Sequence, residues 1–146
     1  MSLLNYTTSI SVEKTLGEIQ RSLAKAGASK IMTDYDDTGN IVSLSFQLKL
    51  NDNPIAFTLP TDWKPVLEVL KRDPKVPVRL KEEQQARRVA WRITKDWVQA
   101  QLAIIETRMV TTAQVFLPYA VTSTGQLMYE YVSENSNSLL LGGGIR

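Results

Sequence analysis

The chain has 146 residues, 43% of them hydrophobic, which suits one globular domain with a single core. Neither cysteine nor histidine occurs, so disulfides, thiolate nucleophiles, imidazole bases and zinc sites built from these residues are excluded. The formal net charge is only +2, but the charges are unevenly distributed along the chain.

The sequence also predicts a cytoplasmic protein with no membrane partner. No apolar run approaches the roughly 20 residues needed to cross a bilayer. The N-terminal MSLLNYTTSI lacks the charged start and apolar centre of a signal peptide. We predict one domain over residues 1–132. Residues 133–146, SENSNSLLLGGGIR, combine polar residues with an apolar tip and are expected to form a flexible or partner-docked tail.

The first predicted elements are a helix and a three-stranded antiparallel meander. Ser11 can cap a helix from Val12 to about Ala26, and Gly27 suits the left-handed residue that ends it. Strands follow at about 30–35, 41–50 and 55–59, joined by the turn sequences DDTGN and NDNP. Alternation in the second strand predicts one buried and one wet face. Its alternating apolar residues are Val42, Leu44, Phe46, Leu48 and Leu50.

Two helices and a small C-terminal unit are predicted after the sheet. Thr61 can cap a short helix, Asp62 to Lys71, and RDPKVPV is an extended connector because proline disfavours helix in the residue before it. A long helix runs from about Leu80 to Arg108. TTAQVFLPY predicts a short helix capped by Thr111, and YAVTSTGQLMYEYV a hairpin around TSTG. The predicted fold class is α+β, with the long central helix packed on the sheet and a helix/hairpin appendix.

The long helix carries two apolar stripes, which imply burial on two sides. We expect the first stripe to pack on the sheet, and the second to meet the short helix, the C-terminal region or another subunit. A surplus of tryptophan on two sides is what a homo-oligomer would show. The first stripe comprises Ala86, Ala90, Ile93, Trp97, Ala100 and Ile104. The candidate interface residues are Trp91, Val98, Leu102, Ile105 and Phe116.

Positive charge is concentrated between Lys71 and Lys95, where nine basic residues stand against three acidic ones. Guanidinium and ammonium groups bind phosphates, so this segment predicts a nucleic-acid-binding surface. The alternative is that these charges form the solvated side of an apolar helix, with Arg92 able to pair with Asp96. The candidate phosphate-binding residues are Arg87, Arg88, Arg92 and Lys95 on one helix edge, extended by Lys75, Arg79 and Lys81.

The acidic segment TDYDD offers the weak candidates for a metal site. Asp34, Asp36 and Asp37 have the composition of a Mg²⁺ site for phosphodiester chemistry. Hairpin turns use the same residue types for local hydrogen bonds, and no acid–base partner stands at a diagnostic spacing. We therefore expect no metal, no cofactor and no catalytic residue.

Residues 11–107 resemble the double-stranded RNA-binding domain in element order. The similarity rests on a helix, a meander whose second hairpin is SFQLKLNDNPIAFTLP, and the helix EEQQARRVAWRI. In that family a lysine pair opens the final helix directly after the third strand. Here residues 60–79 intervene, and Glu82 and Glu83 stand at the opening. The resemblance implies a shared topology.

A second resemblance covers more of the chain. The segments KTLGEIQRSLAKAGASKI, EQQARRVAWRITKDWVQAQL and QVFLPYAV are similar to those of an uncharacterised family of small bacteriophage and mobile-element proteins. This resemblance implies two roles, namely handling DNA or RNA and interfering with host defence through protein contact. It assigns no activity to any residue.

These observations predict a non-enzymatic nucleic-acid-binding protein, encoded by a phage or mobile element and oligomeric. The alternative is an oligomeric protein-interaction module, such as a phage accessory or anti-defence protein, whose charges serve solubility. A metal-dependent nuclease at the aspartates is the third hypothesis.

Overall fold

The computed structural model describes residues 1–142, and residues 143–146 of the predicted tail lie outside that range. The predicted α+β order is confirmed. The elements are α1 (Val12–Lys25), β1 (Ile31–Tyr35), β2 (Ile41–Leu50), β3 (Asn53–Pro60), α2 (Trp63–Arg72), α3 (Glu83–Glu106), α4 (Thr112–Phe116), α5 (Met128–Glu134) and α6 (Ser136–Leu139). Among the described residues, no helix combines the length and apolar character that a membrane crossing requires.

The sheet is an antiparallel meander in the order β1-β2-β3. Its buried face carries Leu44, Phe46 and Leu48 of β2, as the alternation predicts. The prediction is wrong at the start of β2, where Ile41 is buried and Val42 is 36% exposed. Tyr35 pairs with Ile41 while Asp34 pairs with Ser43, so Val42 is an extra residue in β2. Such a bulge reverses the alternation on one side of it.

The two long helices, α1 and α3, pack together on one face of the sheet. The Ser11 hydroxyl accepts the Lys14 N–H at 3.1 Å to begin α1, and Gly27 follows its end with a φ of 103°. From α3, Trp91 and Val98 join the sheet's hydrophobic cluster. The predicted assignment of the stripes is therefore only partly correct, since Trp97 of the first stripe also packs on the sheet cluster, but as a partly buried side chain. The stripe with the larger buried side chains faces the sheet, and Ala86 of the other stripe packs near α2.

A second, smaller cluster holds the segment between α2 and α3. Leu70, Val76 and Leu80 are buried there. The chain between α2 and α3 is therefore fixed to the core at Val76 and at Leu80. A 3₁₀ turn, Val78–Leu80, leads from it toward α3. Asp62 rather than Thr61 caps α2, because the Asp62 carboxylate accepts the Lys64 N–H.

The N-terminal segment lies against the start of α3. The buried Gln85 amide donates to the carbonyls of Tyr6 and Thr8, both at 2.9 Å, and Leu3 packs on the second cluster. The Ser2 hydroxyl donates to Asp73. This arrangement could not be predicted from the sequence, because residues 1–10 show no periodic pattern of apolar side chains.

The C-terminal unit is partly as predicted. Thr111 and Gln114 form a capping box at α4. The predicted hairpin is wrong beyond a single bridge between Val121 and Leu127, because the chain turns into α5 at once. Within the described part of the tail, α6 is short and its neighbouring leucines are exposed.

Candidate functional site

Arg87 is the most enclosed of the candidate phosphate-binding residues. It is 8% exposed, and its Nε and Nη2 both lie 3.0 Å from Glu83 Oε2. Its Nη2 also lies 3.8 Å from Asp36 Oδ2, and its guanidinium stands 5.1 Å from the centre of the Trp63 ring. Arg87 thus joins α3 to the β1–β2 turn and to α2, which is a structural role.

The other three cations of this edge are also paired. Arg88 contacts Glu82 at 3.4 Å and donates to Gln85 Oε1 at 3.0 Å. Lys95 contacts its neighbour Asp96 at 3.3 Å. The predicted pairing of Arg92 with Asp96 is replaced by contacts with α1.

Arg92 connects the two packed helices. Its Nη1 donates to the carboxylate of Glu18 and, at 3.2 Å, to the hydroxyl of Thr15. All four cations of this edge are thus paired within the protein, so the edge is less open to a ligand than the sequence pattern suggests. The sequence pattern could not show it, since the partner Glu18 lies about seventy residues away along the chain.

Two of the carboxylates that neutralise this edge, Glu18 and Asp96, are held in their ionised form. The hydrogen bond from Arg92 lowers the pKa of Glu18. Burial acts to raise the pKa of Asp96, but hydrogen bonds from Asn5 and Lys95 outweigh it and lower the pKa. Arg92 and Lys95 consequently have ionised partners at neutral pH.

The segment before α3 carries cations of a different kind. Lys71, Arg72, Lys75 and Arg79 are exposed, and none of them takes part in an ion pair within residues 1–142. Lys81 is half-buried, and its Nζ donates to the carbonyl of Lys71 at 3.2 Å, which brings the two ends of the segment together. We call these five residues the connector patch.

The connector patch is held by the protein core beneath it. Val76 and Leu80 are buried between the exposed cations. The one carboxylate in this segment, Asp73, accepts the N–H of Lys75 at 2.9 Å and the hydroxyl of Ser2 at 2.8 Å, which lower its pKa. The sequence prediction named Lys75, Arg79 and Lys81 but missed Lys71 and Arg72. Their place in the same basic run was the signal that would have added them.

Asp34 and Asp36, at the β1–β2 turn, are engaged in hydrogen bonds within the hairpin. Asp36 Oδ1 accepts from the Thr38 hydroxyl at 2.7 Å and from the Asn40 N–H at 3.0 Å, which lower its pKa. Asp34 accepts from Ser43 at 2.7 Å, on the sheet. In residues 1–142 no group of three or more acidic, histidine or cysteine side chains is placed to hold a metal ion. The prediction of a site at Asp34, Asp36 and Asp37 is not supported by this geometry.

The predicted interface residues divide into two groups. Trp91, Val98 and Phe116 are buried in the sheet cluster, so the prediction that they contact another subunit is wrong. Leu102 and Ile105 are half-buried and line a cleft of about 410 Å³ between the C-terminal halves of α1 and α3. The cleft is the part of the predicted interface that remains accessible.

Comparisons with protein-family models, with curated proteins and with solved structures found no match to this chain. The functional argument therefore rests on the geometry of the connector patch and of the cleft.

Proposed function

We propose that this is a non-enzymatic, cytoplasmic nucleic-acid-binding protein that contacts phosphates through the connector patch. The observation that carries the proposal is the four exposed cations without an ion pair among the described residues. A cation with no carboxylate partner keeps its full charge for a ligand, whereas a paired one must first give up its partner. The patch replaces the α3 edge as the candidate surface.

The anchoring of the segment favours phosphate binding. Two prolines, Pro74 and Pro77, and the buried Val76 and Leu80 restrict the backbone that carries the cations. Less conformational entropy is then lost when a ligand binds. A phage or mobile-element origin, which the sequence resemblance implies, is compatible with such a role.

The chemistry of the patch favours backbone contacts over base recognition. The residues from Lys71 to Lys81 include no aromatic side chain on which a base could stack. Lysine and arginine side chains on phosphates carry no sequence information. We therefore propose binding that is independent of sequence and strongly dependent on salt.

The test is fluorescence anisotropy with a labelled DNA duplex, its single strand and an RNA duplex. The Lys75→Ala/Arg79→Ala double variant should bind about tenfold more weakly and lower the slope of log K against log salt by about two. The matched control is Lys14→Ala/Arg21→Ala, which removes the same charge from exposed positions of α1. Equal losses in both variants would show that only net charge matters, and no binding at low salt would overturn the proposal.

A second candidate function is a protein-interaction module that uses the cleft between α1 and α3. The observation that favours it is the apolar lining provided by Leu48, Leu102 and Ile105. Here a Leu102→Ser variant should lose a partner that the wild type retains after nuclease treatment. If both proteins recover the same partners, the cleft is not the contact surface.

A further inference from the structure

The two edges of the sheet differ in what covers them. At β3 the C-terminal unit adds a bridge, because Phe57 pairs with Ala120 and the Val121 N–H donates to the Ala56 carbonyl at 2.9 Å. At β1, no hydrogen bond from another part of residues 1–142 reaches Ile31, Thr33 or Tyr35. A strand with a free edge presents backbone donors and acceptors to any further strand.

The hydrogen-bond pattern identifies the groups that point outward. The carbonyl of Lys30 accepts from the Gln47 N–H at 3.0 Å, and the N–H of Asp36 donates to the Asn40 carbonyl at 2.8 Å. The backbone N–H and C=O groups of the even-numbered residues therefore point toward β2. Successive backbone groups of a strand point to opposite sides. Ile31, Thr33 and Tyr35 therefore direct their N–H and C=O groups away from the sheet.

The side chains along this edge leave it open. Met32 is 58% exposed and Tyr35 is 60% exposed, and both Lys30 and Asp34 are exposed. The charge changes sign along this strand. The segment KIMTDYDD begins with Lys30 and ends with acidic residues, so it is positive at its start and negative at its end.

We propose that β1 is a dimerisation edge, on which the β1 strand of a second copy of this chain pairs antiparallel with Thr33 at the two-fold axis. Antiparallel pairing brings the basic start of one strand to the acidic end of the other, whereas parallel pairing would place like charges side by side. A two-fold contact of this kind uses the same patch on both subunits. The occupant is therefore a second copy rather than an unrelated strand.

The direction of the free backbone groups fixes the register. Thr33 pairs with Thr33 of the partner subunit, and Ile31 pairs with Tyr35 of the partner subunit, as hydrogen-bonded pairs. These three pairs supply about six hydrogen bonds between the chains, since each such pair exchanges two. Met32 then lies opposite Asp34 of the partner subunit in a non-hydrogen-bonded pair. Lys30 lies diagonal to that same Asp34.

The bulge at Val42 does not prevent this pairing. It lies between the pairs Asp34–Ser43 and Tyr35–Ile41, so it acts on the last residue of β1. The central residues Met32, Thr33 and Asp34 retain regular pairing with β2. Those three residues form the middle of the proposed contact.

A cross-linking experiment tests both the contact and its register. The chain contains no cysteine, so Met32→Cys and Asp34→Cys each introduce a single thiol. In the proposed register the α-carbons of residue 32 and the partner's residue 34 are about 4.5 Å apart, which a disulfide can span. Oxidation of an equimolar mixture should give a covalent dimer, while either variant alone should give little.

Two outcomes would overturn the proposal. One is a mixture that cross-links no better than the single variants. The other is sedimentation of the unmodified chain as a monomer up to about 100 μM, a concentration at which a dissociation constant of a few micromolar would give mostly dimer.

A charge variant gives an independent check that needs no introduced cysteine. Lys30→Glu places like charges near both copies of Asp34 and should raise the dimer dissociation constant about tenfold, with recovery at high salt. The control is Lys49→Glu, an exposed position of β2 away from the edge, which should leave the constant unchanged. Equal effects of the two substitutions would contradict the charge argument.

Discussion

The α3 edge and the connector patch are two basic regions that sequence alone does not distinguish. Each cation of the α3 edge has a carboxylate partner, either on α3 or at its N-terminal cap, as Glu83 is for Arg87, or on α1, as Glu18 is for Arg92. The connector patch has five cations and a single carboxylate, Asp73, which is engaged by Ser2 and a backbone N–H. Surface potential therefore depends on where carboxylates are placed in three dimensions, and charge density along the chain is a poor guide to it.

The largest effect on stability is expected from Arg87→Ala. Removal of this side chain leaves Trp63 without its stacked guanidinium and Asp36 and Glu83 without their partner, which should lower the free energy of unfolding by about 2 kcal/mol. Urea unfolding followed by tryptophan fluorescence measures this loss of free energy of unfolding. Arg79→Ala, in the connector patch, is the matched control and should change stability by less than about 0.5 kcal/mol. Similar losses in the two variants would remove the distinction between the regions.

A smaller effect is expected when the pair between Arg92 and Glu18 is titrated. The folded state lowers the pKa of Glu18 below its ordinary value of 4.5, so its stabilisation is complete above that pH and is lost as the pH falls through the folded value. Glu18→Gln should cost about 1 kcal/mol at pH 7 and much less at pH 3. Urea midpoints at the two pH values measure the difference. A constant loss at both values would mean that the charge of Glu18 contributes nothing.

Most of the fold followed from local patterns. Ser11 and Thr111 cap helices as predicted, and alternation placed Leu44, Phe46 and Leu48 on the buried face. The errors occurred where tertiary contacts decide between local alternatives. Val42 was assigned to the wrong face because a bulge depends on the neighbouring strand. The pattern after Leu127 predicts the second strand of a hairpin, although it also fits the observed helix.

Less of the candidate site was predictable. The basic run was visible in the sequence, but the burial of Arg87 depends on Trp63 and Asp36, which are far from it along the chain. The contact of Gln85 with the N-terminal segment is of the same long-range kind. The sequence pattern predicts that Trp91 lies at a subunit interface, yet Trp91 fills the space between α3 and the sheet. Side chains that join separate elements are the ones whose roles a single sequence leaves open.

The smallest effect is expected at Lys81, the one cation of the connector patch whose side chain is engaged by another residue of the described chain, 1–142. Its ammonium donates to the Lys71 carbonyl near the C-terminus of α2, where a cation also interacts favourably with the helix dipole. Lys81→Ala should therefore cost about 0.5 kcal/mol of stability, whereas Lys75→Ala should cost nothing measurable in the same urea titration. If the proposed function is correct, both substitutions should reduce the salt dependence of nucleic-acid binding by similar amounts, because each removes one charge of the proposed phosphate-binding surface. A stability loss at Lys75 as large as that at Lys81 would show that the exposed cations of the patch are also structural, and the contrast with the α3 edge would be one of degree.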